Sequence, residues 1–335
     1  MKCNNVYACW AIDDSIRYNS TSGGIFTILA EQIIANGGIV YGAAFNNNFD
    51  VEHIRVETNS GLIRLRGSKY VESNAYVVYE SVKKDLENNK LVLFSGTPCQ
   101  IAALKITLGK KYNKLISIDV VCHGVVTPKL WRDYRDSEEH RYGSPIVKVN
   151  FRYKKPNWPT FSMYIKFQNG KTLVRDKRKD PYLLLFSRDI SVRAACHNCQ
   201  FTSTIREADI TIGDFWGIRP KNESERQYDK GISMCLLNTD KGEKLFNSIK
   251  QNIYYLEHDM EEAIHGNACL SAPYPTHPQR SSFFADYIEK GYNYAVKKYC
   301  VPEHISIRTR LREATWFNPI LNLYRMVRGK KDAQS

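Results

Sequence analysis

Short apolar runs alternate with helical repeats in the first part of the chain, and a third rhythm follows. Val6-Tyr-Ala-Cys-Trp-Ala-Ile12, Gly38-Ile-Val-Tyr-Gly-Ala-Ala-Phe45, Leu91-Val-Leu-Phe-Ser-Gly96 and Leu115-Ile-Ser-Ile-Asp-Val-Val-Cys122 are nearly continuous apolar stretches. At this length, and bounded by glycine, such runs read as buried strands. Between them, residues 22–34 and Tyr76 to Glu87 carry apolar residues at helical spacing, the first entered through a glycine pair. The alternation predicts an α/β sheet domain. From Val147 to Arg152, Phe161 to Phe167 and Lys171 to Val174 the pattern becomes one of short antiparallel strands, with Asn169-Gly170 a type I′ hairpin signal. Ile210-Thr-Ile-Gly-Asp-Phe-Trp-Gly217 is a further strand ending in glycine, and the last sixty residues read as helical and basic. The expected organisation is a mixed-sheet α/β region over 1–145, a β-rich antiparallel region over 146–275, and a basic helical C-terminus over 276–335.

Four cysteines stand where ligands would stand. Thr97 can cap a helix and Pro98 can begin it, which puts Cys99 in the first turn, where the positive end of the helix dipole favours a thiolate. Cys122 closes a strand two residues before Gly124, and Cys196-His-Asn-Cys199 forms a close pair in a polar loop. The total of nine cysteines is odd, and the N-terminus has no secretory pattern. Both features argue against disulfides and for a reducing, cytoplasmic setting. Core burial is the simpler role for Cys235, Cys269 and Cys300. Structural zinc usually takes two close pairs, whereas an iron–sulfur cluster accepts scattered thiolates. The spacing here favours a cluster and leaves zinc open.

Charge adds a preference for anionic partners. The net charge is +13, with basic residues concentrated over 148–179 and from Arg308 to Lys331. No nucleic-acid-binding motif accompanies that charge, so nucleic acid is not an expected partner. Asn19-Ser-Thr-Ser-Gly-Gly24 precedes a helix and can hold a phosphate on hydroxyls, amides and the helix terminus; an ordinary helix cap is the plainer alternative. Arg66-Gly-Ser-Lys-Tyr70 offers two cations, a hydroxyl and a ring, or a simple turn.

Taken in order, Ser22-Gly-Gly24, Leu65-Arg-Gly-Ser-Lys-Tyr-Val71, Phe94-Ser-Gly-Thr-Pro-Cys-Gln-Ile101, Val121-Cys-His-Gly124, Cys196-His-Asn-Cys-Gln-Phe201 and Gly213-Asp-Phe-Trp-Gly217 resemble the coenzyme F420 hydrogenase/dehydrogenase beta-subunit family. The resemblance runs from about residue 6 to about 250. It implies FAD and a [4Fe–4S] cluster. The implied cluster ligands are Cys99, Cys122, Cys196 and Cys199, and the implied flavin contacts lie around Ser22, Gly23, Gly24, Arg66, Ser68, Lys69 and Tyr70. Larger members begin with a ferredoxin domain, whereas this chain has only Cys3 and Cys9 there. Electrons are therefore expected from a separate ferredoxin, a partner subunit or a reduced nicotinamide. Stand-alone relatives resemble proteins found beside polysaccharide-assembly enzymes, which makes a glycan or nucleotide-sugar a candidate substrate. An electron-transfer subunit without substrate chemistry and a zinc-stabilised binder of phosphorylated sugars are the alternatives. No catalytic acid or base is named; His123, beside a proposed ligand, is a candidate for a supporting hydrogen bond.

No apolar stretch reaches transmembrane length. The C-terminal segment from Ile305 to Arg328 mixes Trp316, Leu321, Tyr324 and Met326 with basic residues, a composition that suits an anionic membrane face or docking onto the protein body. If it binds membrane, the full chain pellets with anionic vesicles and a chain lacking residues 304–335 does not; equal pelleting removes the membrane reading.

Overall fold

The computed structural model describes residues 5–226 and 228–301. Cys3 and the basic segment from Ile305 to Arg328 lie outside the described residues. The chain opens with β1 (Asn5–Ala11), α1 (Asp14–Asn19) and α2 (Ile25–Ala35), followed by the antiparallel pair β2 (Ile39–Phe45) and β3 (Val51–Val56). Next come α3 (Asn59–Leu62), α4 (Tyr76–Glu87), β4 (Val92–Gly96), α5 (Pro98–Leu108), β5 (Leu115–Val120) and α6 (Pro128–Tyr142). The middle holds β6 (Ile146–Tyr153), β7 (Ser162–Phe167), β8 (Thr172–Asp176) and α7 (Pro181–Ser187). The remainder runs through β9 (Ile210–Asp214), β10 (Ser233–Leu237), α8 (Asp240–Asn247), β11 (Ile253–His258), α9 (Met260–Gly266), α10 (Arg280–Lys290) and α11 (Tyr292–Tyr299).

Eight strands make one mixed sheet in the order β11-β1-β10-β9-β5-β4-β2-β3. Its centre, β2-β4-β5-β9, is parallel, and both margins are antiparallel. The apolar runs are continuous because both faces are covered, so alternate residues serve different cores. Val40 and Leu93 pack with α2 residues Leu29 and Ile33 on one face. Their neighbours Tyr41 and Phe94 pack with Val78, Ile101 and Leu104 of α4 and α5 on the other. The α/β expectation is met, and the five apolar runs read as strands are β1, β2, β4, β5 and β9; β3, β10 and β11 were not expected.

The middle strands form the expected separate antiparallel sheet, β6-β7-β8. Its hairpin differs in detail from the type I′ expectation. Only Gly170 takes a positive φ (84°), while Gly170 N–H donates to Phe167 O at 3.0 Å and Phe167 N–H to Lys171 O at 2.9 Å. This is a three-residue loop with glycine in the left-handed position, the second common solution for such a hairpin. The small sheet packs with α6 and α7 around Trp131, Tyr134, Phe151, Phe167 and Tyr182.

The end of α9 closely approaches the segment that follows β9. A Cβ on Gly266 would overlap the Trp216 carbonyl oxygen, so only glycine lets the two backbones meet. Gly266→Ala should destabilise the protein by on the order of 3 kcal/mol, read as a lower urea midpoint, because the backbone must move to admit the methyl. An unchanged midpoint would contradict that packing.

Candidate functional site

Open α/β sheets bind ligands beyond the carboxyl ends of their parallel strands. Three such ends, of β4, β5 and β9, carry the residues singled out by sequence. After β4, Thr97 N–H donates to Gln100 Oε1 at 3.0 Å and Pro98 starts α5, so Cys99 sits exposed in the first turn as expected. Thr97 Oγ1 lies 3.0 Å from its sulfur. Cys122 follows β5 by two residues and is followed by Gly124 at φ 135°. A Cβ there would come within 2.5 Å of Val192 Cγ1 and 3.3 Å of Cys196 Cβ. Glycine therefore lets the segment bearing the cysteine pair lie directly on the loop after β5.

Backbone pairing completes the approach. Val126 bridges Val71 on one side and Val192 on the other, and Arg193 N–H donates to Val125 O at 3.0 Å. Cys196 then begins the turn that leads to Cys199. Beyond Cys199, Arg206 fixes the loop from a buried position. It donates to Asp119 Oδ2 (2.9 Å) and to the carbonyls of Phe201 (3.3 Å) and Ser203 (3.1 Å).

The four thiols share one electrostatic neighbourhood. Burial pushes the Cys122 thiol up, Cys99 adds to that rise, and smaller contributions come from Cys196 and Cys269, while the Gly124 amide opposes them. Burial also raises Cys196, the Val125 amide opposes it, and Cys199 and Cys99 add to it. Like charges confined together favour protonation, and a bound metal centre reverses that preference. The donor chemistry suits a thiolate-ligated centre. The thiols do not form a closed shell as they stand: among the described residues, no group of three or more histidine, cysteine or carboxylate side chains is gathered to hold a metal ion. His123 Nε2 lies 2.7 Å from Asp189 Oδ1 without hydrogen-bond alignment, and its ring leans on Tyr274 at 4.3 Å.

The family described as the C terminus of the coenzyme F420 hydrogenase/dehydrogenase beta subunit matches residues 89–263, just over half of the chain and all four of these cysteines. The chain belongs to that family. In structure it is similar to a chain of the F420-reducing [NiFe] hydrogenase complex from Methanosarcina barkeri, with a TM-score of 0.50 at 14% identity, covering 88% of this chain and 89% of that one. At that identity the likeness is one of fold. No curated protein matches the chain.

The family match begins after the two phosphate-type loops, so their placement rests on geometry. They meet: Ser68 donates to Thr21 Oγ1 from its amide (2.8 Å) and its hydroxyl (3.2 Å). Ser22 Oγ donates to Ile232 O at 2.7 Å, and Gly23 N–H to Ser233 Oγ at 2.9 Å, which fastens the loop to β10. Gly24, at φ 91°, caps α2. Arg66 contacts Glu31 at 3.3 Å and keeps a buried Nε without a partner. Lys69 turns its ammonium onto the carbonyls of Leu65, Arg66 and Gly67, and burial lowers its pKa to about 7. Tyr70 stacks on Phe186 at 4.3 Å.

Two cations missed in the sequence complete this region. Arg152, on β6, donates to the Tyr70 hydroxyl (3.1 Å) and to Asp214 Oδ2 (2.9 Å), lies over Phe161 at 4.0 Å, and keeps Nε and Nη2 buried and unpartnered. Trp158 Nε1 donates to the other Asp214 oxygen at 3.0 Å. Lys154 donates to the carbonyls of Arg17 (2.7 Å), Ser22 (2.6 Å) and Lys230 (2.7 Å). The available signal was the two-residue spacing of Arg152 and Lys154 within the basic segment, which in an extended chain turns both to the same side; Lys154 lies one residue past β6.

Burial lowers the Lys154 pKa to about 7; Asp214 opposes this, and Arg17 and Arg152 add to it. An unfolded lysine titrates near about 10.4. Between those values the unfolded chain binds the extra proton, so this residue's contribution to stability rises with pH. Lys154→Met leaves three carbonyls unsatisfied and should cost about 1–3 kcal/mol near neutrality. The wild-type margin over the variant should be larger at pH 9 than at pH 6 in chemical denaturation. A margin that shrinks with pH would refute the assignment.

Proposed function

We propose that the protein is a flavin- and iron–sulfur-dependent oxidoreductase that passes electrons between a one-electron donor and a two-electron acceptor. The observation that carries this reading is the placement of Cys99 and Cys122 just beyond the carboxyl ends of β4 and β5, with the Cys196 segment packed on Gly124 and Cys122 in the field of Cys99 and Cys196. Family membership supports it. In this proposal Cys99, Cys122, Cys196 and Cys199 hold a [4Fe–4S] cluster. The loops of Ser22, Gly23 and Gly24 and of Arg66, Ser68, Lys69 and Tyr70 flank FAD. A flavin exchanges a hydride or two single electrons, whereas a cluster exchanges one electron at a time.

The chain's own groups have defined tasks in that scheme. Arg152 supplies a buried positive charge only partly balanced by Asp214, which suits a phosphorylated, anionic ligand. Lys69 and Lys154 tie the loop backbones and hold the two phosphate-type segments in place. The Gly124 and Val125 amides oppose the rise of the Cys122 and Cys196 thiols and so favour their thiolates. Arg206 and Asp119 fix the loop after Cys199. The donor in this reading is a separate ferredoxin or a partner subunit. Among the described residues no helix is long and apolar enough to cross a membrane.

Protein purified without oxygen should be brown, should release flavin on denaturation, and should carry about four irons per chain. Serine at any one of Cys99, Cys122, Cys196 or Cys199 should sharply reduce the iron, whereas Cys269→Ser should retain it. A colourless wild-type protein containing zinc would replace this function with that of a zinc-stabilised binder.

A further inference from the structure

Of the four proposed ligands, Cys99 is the exposed one. It shares a stripe of α5 with Ile106, two turns along and 81% exposed. On one flank, the first turn of α4 exposes Tyr76 (76%) and Val77 (56%), and the Tyr79 hydroxyl fastens α4 to α5 by donating to Gln100 O at 3.0 Å. On the other flank, the loop that follows Cys199 exposes Ile205 (80%). Lys105 Nζ ties that loop to α5 through the Glu207 carbonyl and its Oε2, the latter at 3.2 Å. Scattered exposed apolar residues are ordinary, but four that frame one thiol mark an interaction face.

The charge along α5 and the loop after it has one sign, whereas α4 carries both signs and Glu207 is paired with Lys105. Residues 98–114 contain Lys105, Lys110, Lys111 and Lys114 and no acidic residue, and Lys110 and Lys111 are exposed. We propose that the face formed by α4, α5 and the 201–207 loop docks an acidic iron–sulfur carrier protein of the ferredoxin kind. The assignment rests on the reading of Cys99 as a cluster ligand. Opposite charge steers the encounter, and the apolar patch supplies a small, dry centre of the size found in transient redox complexes, under about 1,200 Å² in total. Each encounter moves one electron: the carrier is oxidised by one, this protein's centre is reduced by one, and no bond forms or breaks.

The full chain titrated with a reduced, acidic bacterial [4Fe–4S] ferredoxin tests this. Wild-type affinity should fall steeply with salt. Ile106→Asp/Ile205→Asp and Lys110→Glu/Lys111→Glu should each raise the Kd at least tenfold, with iron and flavin content unchanged. No binding by the wild type, or unchanged affinity in both iron-replete variants, overturns the docking face. So does a concentration-dependent dimer that the aspartate variant abolishes, since the patch would then be a self-interface. Iron-free wild-type protein that still binds ferredoxin through these residues would sink the cluster reading and leave the docking face standing.

Discussion

The site depends on one short stretch of backbone. Val126, fully buried, pairs with Val71 on one side and with Val192 on the other. The first pairing brings the 66–70 loop beside the end of β5, and Glu72 N–H secures it by donating to Val126 O at 2.9 Å. The second brings the Cys196 segment onto the loop that carries Cys122. Both contacts require the chain to pass Gly124, whose positive φ and missing side chain let Val192 close in. Removing either pairing would separate parts of the site that lie far apart in sequence.

Around that backbone the protein stores positive charge in places where charge is costly. Arg17, Arg152 and Lys154 are almost fully buried, and Lys154 and Lys69 each turn onto three carbonyl oxygens. Carbonyl dipoles and aromatic faces offset part of the desolvation, and Asp214 balances only one cation at close range. A region so arranged stabilises loops at the rim of the sheet and favours an anion beside them. The same preference operates outside, where residues 98–114 carry lysines and no acidic residue. In the proposed reading, interior and surface charge serve different partners, a phosphorylated ligand within and an acidic protein without.

The cysteines show how packing alters the chemistry of identical groups. Cys9 and Cys235 lie fully buried among apolar side chains, and burial drives the Cys9 thiol well up. Cys122 and Cys196 are also raised by burial, but for each a backbone amide opposes that rise and other thiols add to it. The first pair is packing, whereas the second has the surroundings that the proposed cluster ligation uses.

The sequence alone determined the local elements, because these follow from short-range causes. Apolar runs with glycine ends gave β1, β2, β4, β5 and β9, and Thr97-Pro98 gave the start of α5 with Cys99 in its first turn. The family was legible for the same reason: its motifs are contiguous. The hairpin's turn type was misjudged because Asn169-Gly170 also fits a longer loop in which glycine alone is left-handed. Only the tertiary structure decided that β1, from the start of the chain, lies between β10 and β11, because strand order depends on which faces can be buried together. It alone placed Arg152 beside Tyr70 and Asp214, and Arg206 beneath the Cys199 loop, since a buried cation is recognised by its distant partners and not by its neighbours in sequence.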